Sequence, residues 1–541
     1  MTHFGSADNE LRAAARHVGR RRFLTVSGAA AALAFGTNLP QPAHAAHHVR
    51  DMKLRAEPFT LGVGSGDPLP DSVVLWTRLA PEPFQPDSGL PRRALPVHWE
   101  MAHDENFRRV AHRGTAIAHP EYHHAVHAEP RGLRPGTDYF FRFRAGGHLS
   151  PVGRTRTAPA SGVDRLRFAL ASCQRYDQGY YTAYQHLAAD DVDAVLHLGD
   201  YLYEYPVNAA AGARGYTGDR RLPARFHRET VTLEDYRLRY ALYKGDPDLQ
   251  AAHAAHPWIV TWDDHETENN YAGDIPENSV PPEEFLLRRA AAYRAYWENM
   301  PLRRPQRPSG PDLKLYRRLR FGSLAQLDVL DTRQYRDNQA NGDGWKLPTP
   351  ESQDPSRHLL GAAQERWLTD GWRSSRATWN VLAQQVVFSR RRNRVTDPSP
   401  LSMDAWDGYP GARERVLRAA DATGIENLAV LTGDVHVHYG FDIKRDADDP
   451  GSRTAGVEVV TTSISSGGNG AERPANWETL TEANPHLAFY DGRRGYVRLT
   501  LTERELRADY RVVTGVTSPG APVATAASFV SAAGDPGLRR A

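Results

Sequence analysis

Residues Ala194–Tyr203, AVLHLGDYLY, decide the fold. An apolar run from Ala194 to Leu198 stops abruptly at Gly199-Asp200 and is followed by Tyr201, Leu202 and Tyr203. Short apolar runs bounded by Gly or Asp read as buried strands. The same punctuation recurs: Leu166 to Ala171 ends in Ser172-Cys173, Trp258 to Trp262 in Asp263-Asp264-His265-Glu266, and Val430 to Thr432 in Gly433-Asp434-Val435-His436. Further strand-like runs are Leu324 to Leu330, Val381 to Phe388, Leu428 to Leu431 and Val457 to Thr461. Between them lie helical patterns over Tyr181–Leu187, Glu283–Asn299 and Arg413–Asp421. The second starts behind Pro281-Pro282 and ends before Pro301; the third is stopped by Gly424. Strands alternating with helices predict a layered α/β domain, sheets inside and helices outside, over residues 161–516.

Upstream the pattern is different. Within a module placed at residues 46–160, the stretch from about Pro58 to Pro159 reads as a string of short strands, among them Val73–Trp76 and Val97–Glu100, bounded by Pro, Asp and Gly. Leu133-Arg134-Pro135-Gly136 is a turn feeding the alternating stretch Tyr139–Phe143, similar to the tyrosine corner of immunoglobulin and fibronectin sandwiches. A small all-β sandwich is therefore expected before the α/β domain. His123, His124 and His127 lie close together in it and read as solvated loop side chains rather than metal ligands. The last stretch, 517–541, is rich in Pro, Gly, Ala and Ser and reads as a surface-docked tail.

The first 45 residues read as a leader. Arg20, Arg21 and Arg22 with Phe23-Leu24 precede a modestly apolar run, Val26 to Phe35, too short to span a bilayer, and Ala43-His44-Ala45 is a small-x-small cleavage signature. This resembles a twin-arginine signal, which implies the twin-arginine export machinery as a partner, a folded cargo and an extracytoplasmic destination. No later segment reads as a transmembrane anchor. The chain has 541 residues, a formal net charge of +2 and one cysteine, Cys173. Near-neutrality gives no global drive toward nucleic acid or an anionic membrane, and one cysteine permits no internal disulfide.

Open α/β sheets place their ligands at strand ends, where the four polar clusters fall. Asp, His, Tyr and Cys bind hard or borderline cations, and four such sets on neighbouring strands suit more than one metal. Paired cations clamp a phosphate ester and activate water. Any one of these clusters alone is a weak signal; their recurrence at strand ends is what points to metal.

The strings SCQRYDQGYYTAY (from Ser172), HLGDYLYEY (from His197), TWDDHETENNYAGD (from Thr261), DTRQYRD (from Asp331), AQQVVFSR (from Ala383), MDAWDGYP (from Met403), LTGDVHVH (from Leu431) and TTSISSGG (from Thr461) resemble, in order and interval, the motifs of the alkaline phosphatase D family. The resemblance spans nearly all of the chain after the leader, including the transition TRTAP at Thr155–Pro159. It implies a metallophosphoesterase-like domain and a secreted phosphomonoesterase and phosphodiesterase that carries ferric iron and calcium, with a metal cradle related to that of purple acid phosphatases. Carried over by motif, Cys173, Asp200 and Tyr203 are iron ligands, with Asp200 bridging; Asp434 and His436 close the site from the far strand. Asp264, joined by Asp263, supplies oxygens to calcium, with Asn270 or Asn269 as a neutral ligand. His265 is the catalytic residue, an acid or hydrogen-bond donor to the leaving group or phosphate. His438 lies two residues from His436 on one strand face and is placed behind the ligands. Arg175 and Arg333 are candidate phosphate clamps by charge alone.

Substrates on this reading are small phosphate esters, with phospholipid or polymeric phosphodiesters as larger ones. A metal-dependent phospholipase D-like phosphodiesterase on the same fold is one alternative; paired HxKxxxxD motifs are absent from the sequence, which excludes the phosphatidyltransferase type. A non-catalytic cell-surface binding protein is another, and the intact His265 and ligand set argue against it.

Overall fold

The computed structural model describes residues 53–207, 214 and 222–541. The leader 1–45, with its arginines and cleavage signature, lies outside the described residues. Eight strands precede residue 160: β1 (Val63–Leu69), β2 (Ser72–Arg78), β3 (Leu95–Ala102), β4 (Val110–Ala118), β5 (Ala125–Ala128), β6 (Asp138–Ala145), β7 (His148–Leu149) and β8 (Gly153–Arg156). Then come β9 (Leu166–Ala171), β10 (Ala194–Leu198), β11 (Pro257–Thr261), β12 (Arg317–Phe321), β13 (Ala325–Val329), β14 (Trp345–Lys346), β15 (Trp379–Ala383) and β16 (Leu401–Ser402). The last are β17 (Leu428–Thr432), β18 (His438–Lys444), β19 (Thr454–Val460), β20 (Leu487–Asp491), β21 (Gly495–Leu501), β22 (Glu505–Val513), β23 (Val523–Ala532) and β24 (Asp535–Arg540).

Two large sheets face each other. One has the order β24-β23-β22-β21-β9-β10-β11-β1-β2-β5, the other β12-β13-β15-β17-β19-β18-β20. Alternation along the strands builds three apolar layers. Leu166, Phe168 and Leu170 of β9 meet Leu327 and Val329 of β13 and Leu431 of β17 between the sheets. Ala169 and Ala171 point the other way, into a layer with the helices Thr182–Ala189 and Leu233–Lys244. The helices Gly361–Arg373 and Pro410–Thr423 cover the outer face of the second sheet. The order is helix, sheet, sheet, helix. Because β9, β10 and β11 run parallel, as do β13, β15, β17 and β19, the loops carrying Cys173, Asp200 and Asp264 leave from one end of the first sheet and those carrying Asp434 from one end of the second.

The N-terminal all-β module is present, but it is not closed on itself. Only β4-β3-β6-β7, with β8 on β6, form a sheet of their own; β1, β2 and β5 extend the ten-stranded sheet through parallel pairing of β1 with β11. Tyr139 is buried, and its hydroxyl accepts a hydrogen bond from the Arg134 N–H at 2.9 Å, the corner its sequence neighbourhood suggests. The three histidines are not solvated: His123 meets Ser88 Oγ at 2.9 Å, His124 meets the Arg93 carbonyl at 3.1 Å, and His127 stacks on Trp297 and bonds the Met300 carbonyl at 2.9 Å. His127 ties the module to the end of the helix Pro282–Asn299, while His123 and His124 brace loops within the module.

The chain's end departs from the expected tail. From Val523 to Arg540 it forms the two outermost strands of the ten-stranded sheet, with Ala527 and Phe529 buried between the sheets. Small residues there suit close packing of an edge ribbon, so composition alone reads as loop while spatial pairing makes strand. Val381–Phe388 also differs: the strand ends at Ala383, after which Gln384 and Gln385 turn their amides to Thr432, Thr261 and neighbouring carbonyls. Among the described residues no helix is long and apolar enough to cross a membrane.

Candidate metal centre

The strand ends carry strained turns. Cys173 (φ 58°), Asp200 (φ 57°), Asn270 (φ 49°), Asp434 (φ 65°) and His436 (φ 57°) all sit in the left-handed region, which non-glycine residues rarely occupy. Such clustering is characteristic of sites where surrounding structure holds side chains in a required direction. Gly199 (φ 111°) permits the crossing beneath Asp200: a Cβ there would lie 2.7 Å from the Asp263 backbone nitrogen. The loops are stitched together by backbone bonds from Cys173 N–H to the Gly199 carbonyl (3.1 Å) and from Gln174 N–H to the Asp200 carbonyl (3.0 Å). Glu266 fastens the next loop, accepting from the backbone N–H groups of Asp200 (3.1 Å), Tyr201 (2.6 Å) and Asp263 (2.9 Å). Burial still pushes its carboxyl up to about 7.

Three overlapping groups of donor atoms result, each within 4.8 Å: Cys173, Asp200 and His436; Asp200, Asp264 and His265; Asp263, Asp264 and Asp434. Asp200 belongs to two groups and Asp264 to two. The Tyr203 hydroxyl joins the first, donating to Asp200 Oδ2 at 2.7 Å and lying 3.0 Å from His436 Nε2 and 2.9 Å from Ser466 Oγ. Iron and calcium need not be placed to see that the donors fit cations. Asp200 Oδ1 and Asp263 Oδ2 are buried without a hydrogen-bond partner, a costly state for a carboxylate unless a positive charge meets it, and Asp264 Oδ1 has only the Arg333 Nη2 at 3.5 Å.

The electrostatics say the same. Burial raises the Asp200 carboxyl well above the usual range, and neighbouring Asp264 and Glu266 add to it. Burial, and then Asp200, raise the Cys173 thiol. Asp434 is pushed up to about 6 by burial, while His436 falls to about 3 through burial and the Arg494 charge. Burial also pulls on His265, but Glu204, Asp264 and Asp200 outweigh it and raise the imidazole well above its ordinary value. Arg333 pairs with Asp263 and approaches Asp264 (3.5 Å) and Asp434 (3.8 Å), but the raised carboxyls of Asp200 and Asp434 hold protons that cations would displace, which couples metal affinity to pH.

The remaining candidates separate. His265 Nδ1 lies 2.8 Å from Glu204 Oε2, and its ring packs on Tyr203 at 4.1 Å between centroids. The Asn270 N–H donates to Asp264 Oδ2 at 2.6 Å and its side-chain amide to Asp343 at 2.5 Å; the Asn269 amide is turned to Glu277 at 2.6 Å. His438 is fully buried, accepts from the Thr462 N–H at 3.1 Å and packs on Tyr510, outside all three donor groups. Arg333 does not fit a phosphate clamp: it is fully buried, bonds Asp263, and holds Asp404 at 2.8 Å, so its charge is spent orienting carboxylates. Arg175 is paired with Asp177 at 3.0 Å and stacks toward Tyr205. Sequence reasoning missed Glu204, Glu266 and Asp404 as supports, although all three stand inside quoted motifs; nothing in spacing separates a ligand carboxylate from one that accepts backbone N–H groups.

Converging carboxylates, a thiol, a phenol and an imidazole at sheet ends in a four-layer α/β fold form groups able to hold metal ions, the kind of centre a phosphoesterase uses. The PhoD-like phosphatase family model matches residues 168–510, and that of the PhoD-like phosphatase N-terminal domain matches 43–159. Alkaline phosphatase D of Bacillus subtilis (strain 168) is 50% identical over 526 residues, covering 96% of this chain and 89% of that protein. A solved structure of PhoD superposes with a TM-score of 0.86 at 51% identity, over 90% of this chain and 93% of that one. The chain belongs to the PhoD-like phosphatase family, as an alkaline phosphatase D-type phosphoric ester hydrolase.

Proposed function

We propose that this enzyme hydrolyses phosphate monoesters and diesters at one site, releasing inorganic phosphate outside the cytoplasm. Ferric iron would be held by Cys173, Asp200 and Tyr203 with His436, and calcium by Asp264 and Asp434, with Asp263 and Asn270 as further oxygen donors. The observation that carries this reading is the sharing of Asp200 and Asp264 between adjoining donor groups, which suits neighbouring cations bridged by carboxylates. Thiolate and phenolate favour ferric iron, and a carboxylate and amide set favours calcium. When bound, the cations supply Lewis acidity toward phosphoryl oxygens and water. The chain's own part is to hold that geometry: Glu266 and Arg333 fix the loops, and His265, oriented by Glu204, donates a proton or hydrogen bond to the leaving oxygen. The division into leader 1–45, N-terminal module 46–160 and catalytic region from 161 belongs to the same proposal.

Elemental analysis of natively exported protein is expected to find both iron and calcium. Cys173→Ser should cut iron occupancy and visible ligand-to-iron absorption while leaving calcium and the circular dichroism spectrum unchanged. Retained iron and full rate in this variant would make Cys173 a packing residue, and full activity without either metal would remove the assignment. Export is a separate expectation: Arg20→Lys with Arg21→Lys should leave the precursor in the cytoplasm, measured by fractionation, because the translocation receptor reads the arginine pair. Undiminished secretion would point to the general secretory route.

A further inference from the structure

The loop Thr461–Gly470, TTSISSGGNG, contributes nothing to the three donor groups, yet it closes around one buried side chain. Arg494 stands just before β21 (Gly495–Leu501) and is 4% exposed. Its Nη1 donates to the carbonyls of His436 (2.6 Å) and Ser466 (2.9 Å) and to Ser463 Oγ (2.6 Å), and its Nη2 donates to the Gly492 carbonyl at 2.7 Å. Among the described residues no carboxylate forms an ion pair with it; the nearby Asp491 is held by Arg493 at 2.5 Å. Its donors therefore serve loop oxygens rather than an acid. The loop can approach the guanidinium because residue 470 is glycine: a Cβ there would collide with Nη2 and with the Gly492 carbonyl.

Those oxygens lead to three of the four donors read as iron ligands. His436 sits in the left-handed region (φ 57°), and its carbonyl is fixed both by Arg494 and by Thr462 Oγ1 at 2.9 Å. The Ser466 carbonyl is held by Arg494 and by Ser463 Oγ at 2.7 Å. Ser466 in turn directs its own hydroxyl to the Cys173 carbonyl at 2.8 Å and the Tyr203 hydroxyl at 2.9 Å. The group of Asp263, Asp264 and Asp434 is held by another arginine, Arg333, which bonds Asp263 and approaches Asp264 (3.5 Å) and Asp434 (3.8 Å). Each of the two donor sets thus has its own buried guanidinium.

We propose that Arg494 is the positioning residue of the iron-side donors: its guanidinium fork fixes the turn that aims His436 and, through Ser466, the places of Tyr203 and the Cys173 backbone. The proposal rests on the reading that puts iron at Cys173, Asp200, Tyr203 and His436. A rigid planar fork reaches three separate loop segments from one buried position, which the single nitrogen of a lysine does not. Side chains that orient ligands without touching the metal set its affinity on a scale of about 10- to 100-fold.

The test measures iron and calcium in natively exported protein, with iron affinity read by competition against a calibrated chelator. Arg494→Gln should weaken iron binding about 10- to 100-fold, shift the visible ligand-to-iron absorption of the iron-loaded protein, and leave calcium content at the wild-type level. Arg494→Lys keeps the charge without the fork and should lose nearly as much. Ser463→Ala removes one acceptor of Nη1 and no metal donor, so it should fold and show a smaller loss confined to iron; it carries the test if the arginine variants do not fold. Parallel loss of iron and calcium, or wild-type iron affinity with an unshifted band, would make Arg494 a packing residue and overturn the proposal. Full recovery of affinity and band in Arg494→Lys would overturn it as well, because charge alone would then suffice. Wild-type protein that binds no iron would instead remove the placement of iron on which the proposal rests.

Discussion

Asp200→Asn is expected to lower kcat/KM for aryl phosphate monoesters and aryl phosphate diesters together, by roughly 10²- to 10³-fold, the scale on which loss of one preorganised charge-stabilising group acts. The substitution is nearly isosteric, and Asn tolerates the left-handed backbone at this position (φ 57°), so the turn should survive. Tyr203 can still donate to the remaining carbonyl oxygen. What is lost is an anion shared by two donor groups, so metal content should fall for more than one cation. Paired kinetics on both ester classes and elemental analysis decide it. If diester hydrolysis survived while monoester hydrolysis vanished, two separate sites would have to replace the single one.

Much of this centre is legible in the sequence because its logic is local. Apolar runs fix β9, β10, β11 and β17, and the residues immediately after them carry the chemistry, so strand ends and donors are read together. What was not legible depends on pairing in space. Strand β23 is rich in Ala and Ser and finds its place only against β22, and β1 joins β11 across nearly two hundred residues of chain. The helix Leu233–Lys244 has a local signal, the Thr232 and Asp235 capping box, but its apolar face is diluted by charged residues that bury against tyrosines. Supporting carboxylates were hidden for a related reason. Glu266 and Asp264 stand two residues apart, and only the fold reveals that one faces backbone N–H groups while the other faces the donor cluster. The arginines show the same limit. Arg333 is a phosphate-clamp candidate by charge alone, and only the positions of Asp263 and Asp404 show that its charge is already taken.

His265→Ala is expected to keep both metals and the fold while losing about 10²- to 10⁴-fold in kcat, the range for a positioned proton donor, with KM little changed. The geometry separates this role from that of Asp200. His265 Nδ1 is committed to Glu204 at 2.8 Å, and Glu204 is itself held by the Asn269 N–H at 2.9 Å, so the ring is oriented from behind and presents Nε2 as its free edge. Glu204, the largest of the charges that raise the imidazole, favours its protonated, donating form. Its value should therefore depend on the leaving group: the deficit should be large for an alkyl ester, whose departing oxygen needs a proton, and small for a nitrophenyl ester, whose oxygen leaves as a stable anion. Glu204→Gln should give a milder loss of about 10- to 100-fold with the same leaving-group trend, as expected when an orienting partner is removed and the acting group remains. His265 also lies within 4.8 Å of donor atoms on Asp200 and Asp264, so the competing role is that of a ligand. Loss of metal from His265→Ala, with equal deficits for alkyl and nitrophenyl esters, would establish that role and withdraw the proton donor.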